Sequence, residues 1–139
     1  MHFRFSSLGL RVFLPLLLFS IGCTQTTAVK PRVSYEPQTI IASFYGDQHA
    51  GLKTANGEIF DPEALTCAHR SYPFGTVIKA TNPKNGKSVH VRVNDRGPYV
   101  RDRSLDLSKR AAREIGIDQE GVATVRIEVI KIGQARHSP

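Results

Sequence analysis

A chain of 139 residues, 40% hydrophobic and 22% charged, has room for one domain and a leader, not for several domains. The net charge of +7 is spread along the chain, without a basic helix or an RNA-type motif. That excludes nucleic-acid binding as the reading and leaves a polyanionic surface, or solubility alone, to account for the excess.

Residues 1–22 read as a leader. Arg4 and Arg11 supply its positive start, and Val12 to Ile21 form an apolar run interrupted by Pro15, about half the length that a bilayer span requires. Ser20-Ile21-Gly22-Cys23 resembles a bacterial lipobox, in which the Cys thiol is acylated and becomes the mature N-terminus. Ser20 stands where Leu is usual. Ordinary cleavage to a secreted domain and an uncleaved anchor are the alternatives. With Cys23 lipidated, Cys67 has no partner and no disulfide forms. Residues 23–37, polar and carrying Pro31 and Pro37, read as a tether. The domain is expected over 38–131, with a frayed tail at 132–139.

Within the domain, Ile40 to Tyr45 is rich in β-formers and stops at Gly46. Thr76 to Thr81 reads as a strand, followed by Pro83-Lys84-Asn85-Gly86 as a hairpin turn. Ser88 to Asn94 returns with strict alternation, and Thr124 to Ile130 alternates again. One helix is expected over Lys109 to Ile115, N-capped by Asp106 or Ser108 and stopped by Gly116. A short helical turn fits around Pro62 to Leu65. Many short strands with Gly/Pro turns and one or two short helices indicate a mainly β fold, a small closed or nearly closed barrel.

Alternation puts Val89, Val91 and Val93 on one face and His90, Arg92 and Asn94 on the other. One residue further, Asp95 falls on the valine side. A carboxylate at the mouth of an apolar interior is partly desolvated, which favours the protonated form that a general acid needs. The bland alternative is an Asx turn. Glu58 and Asp61 add two carboxylates three residues apart, suited to glycosidic cleavage, which joins an acid to negative charge near an oxocarbenium ion. Otherwise Asp61 caps the turn at Pro62 while Glu58 is solvated. His69 either bonds a carboxylate or sugar or is an ordinary buried histidine. His49, His69, Glu58 and Asp61 lack ligand spacing, so no metal and no cofactor are expected. Nothing in the sequence near Cys67 activates it as a nucleophile. Of the aromatics near turns, Tyr45, Phe60, Tyr72, Phe74 and Tyr99, the first and last best suit a sugar-stacking role.

Ala42-Ser43-Phe44-Tyr45-Gly46, Thr54 to Asp61, Leu65 to Arg70, Pro73-Phe74-Gly75-Thr76, Val91 to Pro98 and Asp106-Leu107-Ser108 together resemble the RlpA (rare lipoprotein A) family of lytic transglycosylases. The resemblance implies a six-stranded double-psi β-barrel, related to expansin domains. It also implies a lyase of the bacterial cell envelope, a periplasmic lipoprotein held to the membrane, expected to be the outer one, through Cys23. The substrate would be peptidoglycan glycan strands stripped of peptide, cut endolytically to 1,6-anhydro ends. The resemblance makes Asp95 the catalytic acid, with Glu58, Asp61 and His69 lining the site. Tyr45, Asn94, Arg96 and Tyr99 are expected to bind substrate. A non-catalytic, expansin-like glycan-binding module is the alternative. Phe44 replaces a usual Trp and Cys67 a usual Ala. No C-terminal SPOR domain is expected, and a monomer is the default.

Overall fold

The computed structural model describes residues 34–134. The expected leader, Cys23, and the greater part of the tether and tail lie outside the described residues. Six strands are present among them: β1 (Gln38–Phe44), β2 (Thr66–Ala68), β3 (Val77–Thr81), β4 (Ser88–Asp95), β5 (Leu105–Leu107) and β6 (Val122–Lys131). One α-helix, α1 (Lys109–Glu114), precedes β6, and a single 3-10 turn spans Asp47–His49.

The strands close into a barrel in the order β1-β5-β2-β4-β3-β6, the six-stranded architecture that the resemblance implies. Two pairs are parallel, β1 with β5 and β2 with β4. The remaining neighbours are antiparallel. Alternation drives the long strands: Val89, Val91 and Val93 of β4 and Ala123, Val125 and Ile127 of β6 are buried among Ile78, Ala80, Leu105 and Leu107. Removing these side chains from water is the main favourable term in folding.

The turn between β3 and β4 does more than reverse the chain. The Asn82 and Asn85 side-chain amides both donate to the Ile115 carbonyl, at 2.9 and 3.1 Å, which answers an unpaired acceptor at the helix end. Gly116 continues at φ +70°, as expected of a C-terminal stop.

The structure chooses between the two N-cap candidates and corrects one expectation. Ser108, not Asp106, caps α1, accepting from Ala111 N at 3.3 Å. Asp106 is committed to β5, where it accepts a buried hydrogen bond from the Ser43 hydroxyl on β1. Pro62 to Leu65 forms turns but no helix: Asp61 caps the segment, accepting from Glu63 N and Ala64 N, but the chain enters β2 at Thr66 before a helix can propagate.

Candidate active site

The segment between the 3-10 turn and β2 folds into a small ribbon, with Lys53 bridged to Ile59. Gly57, at φ +90°, lets the chain reverse where a side chain would be strained. Thr54 N then reaches Glu58 O at 2.8 Å, and Asn56 Oδ1 accepts from Glu58 N at 3.1 Å. This turn docks on the end of β4 through Asn56 N to Asn94 O, 3.2 Å.

Asp95 ends β4, partly exposed. Its Oδ1 accepts two backbone N–H groups, Ala55 and Arg96, each at 2.8 Å. Its Oδ2 accepts the Tyr45 hydroxyl at 2.8 Å. Simple alternation does not account for this aim. The pairing of β4 with β2 shifts register between Cys67 and Ala68, so Cys67 faces Val93 while Ala68 faces Asp95. Asn94 is skipped and buried, and the irregularity re-aims the strand end. Tyr45 lies just past β1, its ring against Phe60 and His49 at centroid distances of 5.0 and 5.2 Å. Burial, then the hydrogen bond to Asp95, hold its hydroxyl well above the ordinary range of a phenol, and so protonated.

Glu58 is clamped. Arg92 donates to both of its oxygens, at 2.7 and 2.9 Å, Asn94 Nδ2 adds a bond at 3.1 Å and Asn56 Nδ2 one at 2.9 Å. The Arg92 bonds are the main reason that its carboxyl falls to about 2. Glu58 is therefore a fixed negative charge and not a proton donor at neutral pH.

His69 follows β2, almost fully buried and stacked on Tyr72 with ring centroids 3.8 Å apart. Its Nδ1 accepts Tyr72 N at 3.0 Å and Ser71 N at 3.3 Å. The neutral ring therefore carries its hydrogen on Nε2. Burial, then the Arg96 and Arg70 cations, lower its pKa to about 4.

Two arginines cross-brace this region. Arg96 donates to the His69 and Tyr72 carbonyls at 3.2 and 3.0 Å and lies 3.7 Å over the Phe74 ring. Arg70 runs the opposite way, to the carbonyls of Pro98, Val100 and Arg103.

The structure thus brings together two hydrogen-bonded pairs, Tyr45 with Asp95 and Asn94 with Glu58, joined through the Ala55 and Asn56 backbone N–H groups, and ties His69 to Asp95 O by its backbone N–H at 3.3 Å. Asp61 is exposed and turns to its own loop, accepting Glu63 N at 2.9 Å. Arg96 points its guanidinium into the protein. Tyr99 is 81% exposed, whereas Phe60 and Tyr72 are buried. Cys67 is fully buried, and burial pushes its thiol up. Among the described residues, no three His, Cys, Asp or Glu side chains are placed to hold a metal ion.

A family profile described as "Lytic transglycolase" matches residues 38–127, the whole stretch from the start of β1 into β6. The chain belongs to the RlpA family of double-psi β-barrel lytic transglycolases. Three proteins named endolytic peptidoglycan transglycosylase RlpA illustrate the likeness. That of Vibrio cholerae is 52% identical over 66% of this chain, that of Campylobacter jejuni 50% over 68%, and that of Neisseria meningitidis serogroup B 47% over 76%. The matches span 34% to 44% of those relatives, so the chain covers less than half their length. Among solved structures, a Streptomyces papain inhibitor is similar at TM-score 0.57, 19% identity, over 69% of this chain and 96% of its own. An expansin of Clavibacter michiganensis is similar at 0.56 and 21%, over 72% of this chain and 53% of its own. At those identities the likeness is one of fold.

Within the RlpA barrel, three participants escaped the sequence reading: Arg92, Asn56 and the Ala55 N–H. Arg92 was legible as a polar-face residue of β4 but not as the partner of Glu58, 34 residues away. Asn56-Gly57 carried a turn signal, which places Asn56 correctly without saying what its amide holds.

Proposed function

We propose that this RlpA-family domain is an endolytic lytic transglycosylase, cutting the β-1,4 bond between N-acetylmuramic acid and N-acetylglucosamine in peptide-free glycan strands. The observation that carries the reading is Asp95, partly exposed at the end of β4 and held by three hydrogen bonds. The names of the relatives support the substrate.

Asp95 protonates the bridging oxygen as the C1–O bond breaks. The muramoyl O6 then attacks C1, and its proton returns to Asp95, so no water is consumed. The nucleophile belongs to the substrate and gains from high effective molarity. Glu58, held ionised by Arg92, supplies negative charge as C1 becomes oxocarbenium-like. His69, neutral with hydrogen on Nε2, is a donor for a sugar oxygen. Asn94 orients Glu58, and the exposed Tyr99 ring offers a stacking face. Asp61, which fixes its own loop turn, is the third acidic residue of the proposed site.

The proposal extends to location: a monomer at the cell envelope, attached to the membrane by lipid on Cys23, with peptidoglycan glycan strands as its partner. Labelled-palmitate incorporation that disappears in Cys23→Ala tests the anchor.

Product analysis on denuded peptidoglycan tests the activity. Wild type should release 1,6-anhydro ends, and Asp95→Asn should not, while melting like wild type. Products heavier by one water would mean hydrolysis, and binding without any product would mean a non-cutting glycan module.

A further inference from the structure

We propose that Tyr45 is a positioning residue for Asp95, its hydroxyl selecting Oδ2 as the oxygen that exchanges the proton with the glycan. The inference rests on the transglycosylase reading and goes beyond it, because it assigns the two carboxyl oxygens different tasks.

Oδ1 meets the Ala55 and Arg96 amides. Both can only donate, so a proton on Oδ1 would set hydrogen against hydrogen and forfeit those bonds. Oδ2 meets only the Tyr45 hydroxyl, which can donate or accept by rotating. A proton on Oδ2 is therefore tolerated where one on Oδ1 is not.

As the acid acts, the Oδ2–H bond breaks and an O–H bond forms on the leaving sugar, which takes the C1–O electron pair. The Tyr45 hydroxyl then donates to the new charge on Oδ2. When O6 bonds to C1, its proton returns to Oδ2, and the Tyr45 bond weakens again. Protons and electron pairs balance without another reactant.

The pairing is built into the fold. The ring of Tyr45 is wedged against Phe60 and His49, so the hydroxyl is aimed by apolar contacts and not by the substrate. The ionisable groups around the pair are Asp106 on β5, Cys67 on β2 and His49, which face Tyr45, and Arg96, which faces Asp95.

Tyr45→Phe deletes the hydroxyl and keeps the ring contacts. Initial rates on soluble peptide-free glycan strands are measured across pH for wild type, Asp95→Asn and Tyr45→Phe, normalised to the folded fraction from thermal melts. Loss of a hydrogen bond to a charged group predicts about a tenfold fall in turnover with KM unchanged. A Tyr45→Phe turnover like wild type, beside an inactive Asp95→Asn, overturns this inference and leaves the function standing. A raised KM with unchanged turnover also overturns it, since the hydroxyl would then contact the sugar instead. Wild type that forms no anhydro ends removes the function and this inference with it.

Discussion

Arg92 grips Glu58 with two parallel hydrogen bonds, 2.7 and 2.9 Å, joining β4 to the 52–60 ribbon. Glu58 is normally 4.5 and falls to about 2 in the fold. A lowered carboxyl contributes stability that is complete above its unfolded value and is lost as pH falls through the folded one. Glu58→Gln should therefore lower Tm at neutral pH and flatten the loss of Tm between pH 4.5 and about 2. Both side chains remain about two-fifths exposed, so solvent screening keeps the effect modest. Melts in an acid series read it.

His69 carries the same sign at a higher pH. Its folded value of about 4 lies below the ordinary 6.5, so between the two the unfolded chain binds more protons. Tm should fall as pH drops from 6.5 toward 4, and His69→Phe should remove that slope while keeping the stack on Tyr72. Imidazole nitrogen shifts should report hydrogen on Nε2 throughout the neutral range.

Ser43→Ala should destabilise the barrel more than a surface serine would. Ser43 and Asp106 are both buried and bonded to each other across β1 and β5. Removing the hydroxyl leaves a buried acceptor one donor short, a loss of about 1–3 kcal/mol. Denaturant melts at neutral pH measure it.

Arg96→Lys should cost about 1–2 kcal/mol, because an ammonium neither lies flat on Phe74 nor spans two carbonyls as a planar fork does. Amide exchange at residues 69–72 should rise with it. A variant with weaker glycan binding but unchanged melting and exchange would return Arg96 to the substrate-contacting role that its sequence position suggested.

The long strands were legible because alternation over seven to ten residues leaves a pattern. β2 and β5 were not. Each has three residues, all buried, so neither shows a polar face. Asp106-Leu107-Ser108 also looked like a helix start, and only the fold separates Asp106, paired to Ser43, from Ser108, which caps. At the site, Glu58, His69, Asn94 and Asp95 stood out by residue type and by resemblance. Their couplings did not, because Arg92 to Glu58 and Tyr45 to Asp95 join residues 34 and 50 positions apart. The direction of Asp95 depends on a register shift opposite Cys67 and Ala68, which β4 alone cannot reveal.

The barrel places its first strand between its last two, with β1 bonded to β5 on one edge and β6 on the other. A growing chain therefore holds Gln38–Phe44 without either neighbour until Leu105–Leu107 and then Val122–Lys131 have been synthesised. Closure waits on distant pairing, which is slow compared with local contacts. The first strand of this domain is therefore the one whose hydrogen-bonding edges wait longest for a partner, and the ring cannot seal from its N-terminal end.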